Sequence, residues 1–258
     1  MGQVALSFVV PAYNEEDFIE DTLGALEAII KGKNLPYEIV VVDDGSLDGT
    51  LAKAVRYAKR NGHVKVVSYL KNMGKGHAVK TGFMQTSGNI VVFADSDMEI
   101  DLVTISKYLE ALEHGDIVIA SKRHSDSRVE VPLSRKILSI SFNGLVRLLT
   151  GVPLNDTQSG LKAMKKNAFV DIFPRLAVKR YAFDVELLAV AHLYGLKVVE
   201  MPVRIKMGAS FSARQVWKMF VDLLGIAYRL RVIHWYQRQL PTKMACKTLF
   251  KLFYVKLK

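Results

Sequence analysis

The chain predicts an α/β fold, a Rossmann-like, mostly parallel sheet flanked by helices, followed by C-terminal amphipathic helices. Three observations predict it. Apolar runs of strand length alternate with stretches of helical periodicity, as crossover-connected parallel strands require. These runs are continuous in Val and Ile rather than alternating with polar residues, the pattern of strands covered on both faces. Several of them end in loops carrying acids or glycine, which is where open α/β sheets bind ligands.

The elements follow in order. Leu6 to Val10 reads as the first strand, and after the loop Pro11-Ala12-Tyr13-Asn14 a helix runs from about Glu15 to Ile30, with Phe18, Ile19, Leu23, Leu26, Ile29 and Ile30 near helical spacing. Glu38 to Val42 is the second strand and ends in Asp43-Asp44-Gly45-Ser46; Asp48-Gly49-Thr50 then starts a helix to about Asn61. Val64 to Tyr69 is the third strand, and Asn72-Met73-Gly74-Lys75-Gly76 precedes a helix to about Thr86. Ile90 to Ala94 is the fourth strand, Asp101 to Glu113 a helix, Asp116 to Ala120 the fifth strand and Val198 to Val203 the last. The segment Ile137 to Leu149 is apolar on more faces than one core contact requires, so part of it should meet an apolar surface other than the core, such as lipid.

With 258 residues, half of them hydrophobic, the chain can bury a full core. A single cysteine, Cys246, excludes an intramolecular disulfide and a thiolate metal cluster. The run Val4 to Val10 has no basic region before it and leads straight into Pro11, unlike a signal peptide. The net charge of +11 is placed unevenly: twelve Lys and Arg and one acid, Asp222, lie between Arg204 and Lys258, which leaves the first 203 residues neutral. In that tail Trp217, Phe220, Val221, Leu224 and Tyr228 share one helical stripe, and after Pro241 apolar residues are interleaved with lysines. The best apolar window there, Met219 to Tyr236, is broken by Asp222, Arg229, Arg231 and His234 and is not a membrane span. Residues 213–258 are therefore expected to be basic amphipathic helices that hold the chain peripherally on a membrane surface, at its cytoplasmic face. A basic, aromatic tail also suits a nucleic-acid-binding module, but that reading leaves the ordered loops unexplained, and no nucleic acid is expected.

The sharpest chemical feature is Asp95-Ser96-Asp97-Met98-Glu99, directly after the fourth strand. Carboxylates at a strand end suit a hard divalent cation, Mg²⁺ or Mn²⁺, bound together with substrate phosphate; they equally suit a turn and a cap for the next helix. Asp44 is read as an acceptor for ribose hydroxyls or base N–H groups, with a helix cap as its alternative. Gly74-Lys75-Gly76 lacks the spacing of a P-loop and is weak as a phosphate motif.

Pro-Ala-Tyr-Asn-Glu-Glu, Val-Val-Asp-Asp-Gly-Ser-x-Asp-Gly-Thr, Asn-x-Gly-Lys-Gly, Asp-x-Asp-x-Glu and Asp-Thr-Gln-Ser-Gly stand in the order seen in family 2 glycosyltransferases of the dolichyl-phosphate mannose synthase and dolichyl-phosphate glucosyltransferase type. The resemblance covers about residues 4 to 205. It implies a GT-A type fold, with residues 1–121 as a nucleotide-sugar-binding half and 122–212 as the acceptor-binding half. It implies that Pro11, Tyr13, Glu15, Val42, Asp44, Asp95 and Lys206 contact the nucleotide, that Asp95, Asp97 and Glu99 serve the metal, and that Arg135 and Ser139 grip the acceptor phosphate. Asp97, Asp156, Lys122 and Arg123 are the implied catalytic group. Lys122-Arg123 stands where the family has one arginine, and Lys206 stands for another.

The implied reaction moves glucose or mannose from UDP-glucose or GDP-mannose to a polyprenyl (dolichyl) phosphate with inversion. Phe183 to Leu188 resembles the glucosyltransferase branch. A phosphate acceptor is already anionic, its second pKa being about 6, so charge screening and orientation replace a base. The rival is a family 2 enzyme acting on a polysaccharide or glycolipid hydroxyl, which needs a base, and Asp184 or Glu186 is the candidate.

Overall fold

A computed structural model describes residues 4–31, 35–96, 104–158, 160–206 and 213–238. In chain order they form β1 (Leu6–Ala12), α1 (Ile19–Lys31), β2 (Tyr37–Asp43), α2 (Thr50–Arg60), β3 (Val64–Ser68), α3 (Lys75–Gln85), β4 (Ile90–Phe93), α4 (Ile105–Ala111) and β5 (Ile117–Ser121). There follow β6 (Arg128–Glu130), α5 (Leu133–Thr150), β7 (Lys162–Lys165), α6 (Lys166–Phe169), α7 (Phe183–Leu193), β8 (Val198–Pro202), β9 (Arg204–Lys206), α8 (Ala213–Arg231) and α9 (Trp235–Arg238).

Seven strands make one sheet in the order β3-β2-β1-β4-β7-β5-β8. Strand β7 pairs antiparallel with both β4 and β5, and the other pairings in this sheet are parallel. Expectation and structure agree on the mostly parallel sheet and on the strands named in advance. The sequence reading missed β7, because Lys-Ala-Met-Lys is short and bounded by lysines. It also missed the pair β6–β9, in which Arg128 lies opposite Arg204 and Glu130 opposite Lys206.

Side chains alternate across the sheet as strands dictate. Phe8 and Val10 face α1 and α4, meeting Ile19, Leu23, Leu26 and Tyr108. Val9, Phe93 and Ile119 face the other way, into a core shared with α3, α5, α7 and α8. Every residue from Phe183 to Ala191 is buried, so α7 is a central helix packed on all sides. Helix α1 begins at Ile19 rather than near Glu15, because Glu15 and Glu16 are spent on a loop contact described below.

One face of α8 belongs to this core: Met219, Leu223, Ile226 and Leu230 are buried. The stripe read from the sequence lies on its other face, where Trp217, Val221, Leu224 and Tyr228 are exposed. Among the described residues, no helix is long and apolar enough to cross a membrane. The segment after Pro241 lies outside the described residues.

Candidate active site

The β1–α1 and β2–α2 loops are stapled together at the ends of their strands. Asn14, at φ 56°, accepts the Leu47 N–H at 2.9 Å, and its own N–H donates to Ser46 Oγ at 3.0 Å. The Glu15 N–H donates to Thr50 Oγ1 at 2.8 Å, and Glu16 Oε2 accepts the Gly49 N–H at 2.7 Å. Asparagine is one of the few residues that tolerate this left-handed backbone. Tyr13 stands exposed at the rim, whereas Pro11 is buried and its carbonyl accepts the Ser96 hydroxyl at 3.0 Å. The Val42 side chain is fully buried against Val40 and Ala78, so what it can offer a ligand is its main chain.

Asp43 and Asp44 divide their work. Asp43 accepts the Ser46 N–H and the Ser68 hydroxyl. Asp44, 3% exposed, takes the Met73 and Gly74 N–H groups on its two oxygens, both at 2.8 Å. It therefore shapes the loop that delivers Lys75, whose Nζ lies 2.8 Å from the Asp95 carboxylate. Asp95 also has a close neighbour in Gly160, where an added Cβ would stand 1.9 Å from Oδ2. A side chain at 160 would displace the carboxylate. Asp97 and Glu99 lie outside the described residues. Lys206 ends β9, and its side chain lies outside them too.

The second half of the site is built around Asp156, which is 3% exposed. Its Oδ2 accepts the Lys122 N–H at 3.0 Å and faces Lys122 Nζ at 3.3 Å, while Oδ1 accepts the Gln158 N–H. Lys122 Nζ also donates to the Gln158 carbonyl at 2.6 Å. Asp156 is thus a positioning residue for Lys122 and for its own loop. Arg123 reaches the Asn155 carbonyl and, at 2.7 Å, the Ser139 carbonyl, so three of the residues named from the sequence, Lys122, Arg123 and Ser139, form one connected wall. Sequence reasoning missed two residues that hold this wall. Glu200 on β8 accepts the Asn155 and Asp156 N–H groups. Asn143 on α5 donates to the Leu154 and Asn155 carbonyls. An acid inside Val-Val-Glu-Met-Pro was the available signal for Glu200; Asn143 left none, being one polar residue in an apolar helix.

A cleft of about 930 Å³ runs between these groups. Asp95 and Lys75 line it, as do Lys122, Arg123, Arg135, Lys136 and Arg147. Apolar side chains share the lining, Leu138, Ile140 and Phe142 from α5 and Val216 and Met219 from α8, together with polar Asn143, Asn155, Gln158 and Asp184. Cations and apolar side chains in one cleft suit an anionic head group on a hydrocarbon chain.

The two candidate bases are both engaged. Asp184 pairs with Lys162 at 2.8 Å, and both side chains are nearly buried. Glu186 is 0% exposed; Oε2 accepts the Ala177 and Val178 N–H groups, and Oε1 meets Arg229 and the Tyr236 hydroxyl. Burial, and then the Glu186 charge, push the Tyr236 phenol well above its ordinary pKa. Glu186 therefore ties α7 to α8 and α9.

Comparison with known proteins matches residues 7–173 to the family model "Glycosyl transferase family 2". A dolichyl-phosphate beta-glucosyltransferase from Trichomonas vaginalis is 35% identical over 91% of this chain and 76% of its own length. The enzyme of that name from Mus musculus is 32% identical over 91% of this chain and 78% of its own. Among solved structures, glucosyl-3-phosphoglycerate synthase from Mycobacterium tuberculosis in complex with Mn²⁺, UDP and glucosyl-3-phosphoglycerate superposes with a TM-score of 0.66 at 19% identity, covering 87% of this chain and 79% of that one. The likeness is one of fold, the GT-A type.

Proposed function

The chain belongs to glycosyltransferase family 2, and on that premise we propose that it transfers glucose from UDP-glucose to a polyprenyl phosphate of the dolichyl type, with inversion, at a membrane surface. The observation that carries this reading is the cleft whose lining joins Asp95 and Lys75 with Lys122, Arg123 and Arg135 and with the apolar side chains of α5 and α8. The relatives' name supports glucose and dolichyl phosphate; the Mn²⁺ and UDP of the mycobacterial complex are properties of that enzyme.

In this reaction an oxygen of the acceptor phosphate forms a bond to the anomeric carbon from the face opposite UDP, and the bond from that carbon to the diphosphate oxygen breaks. No proton has to leave the acceptor, since a phosphate monoester is already ionised near neutral pH, with a second pKa of about 6. The burial of Glu186 agrees with this. A hydroxyl acceptor would need a base; Glu186 is sealed in the core, whereas Asp184, paired with Lys162 at 2.8 Å, lines the cleft and is the one of the two that could serve it.

Lys122, Arg123 and Arg135 are the groups that would meet the acceptor phosphate, with Asp156 orienting Lys122 and Ser139 orienting Arg123. Among the described residues no cluster of three possible metal ligands is assembled; Asp95 offers hard oxygen to the cleft, where it already accepts an ammonium at 2.8 Å. Asp97 and Glu99 would complete the set. A bound Mg²⁺ or Mn²⁺ supplies counter-charge to the departing diphosphate.

Membrane attachment rests on the exposed apolar residues of α5 and α8, among them Ile137, Ile140, Leu148, Trp217, Leu224 and Tyr228, on the two helices that also line the cleft. The test is transfer from labelled UDP-glucose or GDP-mannose to dolichyl phosphate in detergent. The expected product is the glucosyl lipid from UDP-glucose alone. A mannosyl product would reassign the donor, and transfer to a sugar hydroxyl instead would sink the acceptor assignment.

A further inference from the structure

Lys75 occupies a position where helix electrostatics disfavour a cation. It is the first residue of α3, which has no acid in its first turn, and the positive end of the helix macrodipole lies there. The conformation of the preceding loop holds it in place. Gly74 has φ 101°, and an added Cβ would stand 2.5 Å from the Lys179 carbonyl, so only glycine fits. Asp44 fixes the same turn through the Met73 and Gly74 N–H groups. The result is a relay of contacts from Asp44 through Gly74 to Lys75 and on to Asp95, with both members of the final ion pair lining the cleft and each about one-quarter exposed.

We propose that Lys75 is a resident counter-cation, which neutralises Asp95 until a divalent ion displaces it and then turns to the diphosphate of the donor. The proposal deepens the donor side of the reading above and rests on it. Its reason is electrostatic. A carboxylate that accepts a divalent ion cannot keep an ammonium at 2.8 Å without strong cation–cation repulsion. The side chain so released stands beside the first N–H groups of a helix, where an anion is favoured. Exchange keeps the charge in the cleft balanced before and after the donor binds.

The test uses the full chain and two probes, MnCl₂ alone and UDP alone in EDTA, each titrated calorimetrically. For Lys75→Met we expect Mn²⁺ to bind about tenfold tighter and UDP about tenfold weaker, opposite signs that follow from removing one nearby charge. Lys75→Gln, a second neutral variant, should repeat both shifts, and Lys75→Arg, which keeps the charge, should stay within about threefold of the native protein in each titration. A merely structural lysine would weaken both probes in the neutral variants, and that result, or no change in either, overturns the exchange. In both of those cases loss of Mn²⁺ binding in Asp95→Asn leaves the donor assignment standing. A native protein that binds neither probe would overturn the donor assignment and the exchange together.

Discussion

At the strand starts Glu38 lies 4% exposed, with Oε1 accepting the Ser7 and Ser87 hydroxyls at 2.7 and 2.6 Å and Oε2 accepting Lys65 Nζ at 2.7 Å. At the strand ends Asp95 is 22% exposed and shares its charge with Lys75 across the rim of an open cleft. Both carboxylates have a lysine partner at hydrogen-bond distance, so pairing alone does not separate a structural acid from a working one. The difference lies in what surrounds the pair. Glu38 is closed in by β1, β2, β3 and the turn before β4, and its partners are bound to the same sheet. Asp95 is held by a glycine-shaped loop on one side and by Gly160 on the other, with the cleft in front.

Substituting each acid by its amide turns this contrast into two opposite outcomes, and the catalytic one is the larger. Asp95→Asn should lower turnover by about 10²–10³, the range for removing one electrostatic group that acts at a developing charge. Its stability should hardly move. A partly exposed ion pair is worth about 0–1 kcal/mol, so the thermal midpoint should stay within a few degrees of the native value, by the usual scaling. Native-like turnover in this variant would remove Asp95 from the site.

Glu38→Gln should do the reverse, leaving the activity of folded molecules intact and costing stability. Burial by itself would raise the Glu38 pKa, but the hydrogen bonds from Lys65, Ser87 and Ser7 outweigh it and hold the group at about 2, against 4.5 for the free side chain. The folded-state pKa is depressed, so this contribution is fully present above about pH 4.5 and is lost as pH falls towards 2. At neutral pH it amounts to about 3 kcal/mol. Denaturant unfolding of both proteins at pH 7 and near pH 3 checks the sign: the gap between native and Glu38→Gln should narrow as acid is added. A gap that stays constant would show that the charge of Glu38 is not what stabilises the strand starts.

The same contrast explains what was legible in the sequence. The parallel strands could be read because a strand covered on both faces must be continuously apolar, and the run Ile39, Val40, Val41 and Val42 is fully buried throughout. The loop residues could be read because left-handed or tightly packed backbone restricts the choice of side chain, as at Asn14, Gly74 and Gly160. Strand β7 could not, since Lys162 is a buried lysine whose burial is made tolerable by Asp184, a partner 22 residues away in sequence that no local pattern announces. The roles of Glu200 and Glu186 were hidden for the same reason: the Asn155 and Asp156 N–H groups lie more than 40 residues from Glu200, as Arg229 and Tyr236 do from Glu186. Lys75 is easy to underrate in the sequence, because its motif looks like an ordinary turn until Asp95 stands opposite it.

Helix α8 repeats the comparison across its own width, and its outer face gives the smallest expected effect on the fold. Leu223 on the inner face is fully buried, and truncating it to Ala should cost about 2–5 kcal/mol, as core truncations do. Trp217 and Leu224 on the outer face are 64% and 46% exposed, so the double change Trp217→Ser with Leu224→Ser should alter stability by no more than about 0.5 kcal/mol per site. What it should alter is adsorption. Each of these side chains gains up to about 1.5–3 kcal/mol when buried in an apolar medium, while the neighbouring Lys218 and Arg231 are worth about 1 kcal/mol each near an anionic bilayer. Cosedimentation with anionic liposomes should therefore fall by at least about tenfold, which corresponds to about 1.4 kcal/mol, while activity on a detergent-dispersed acceptor is kept. If the double variant instead unfolds, the outer face is part of the core after all; if it is stable and still sediments like the native protein, the membrane contact lies elsewhere on the chain.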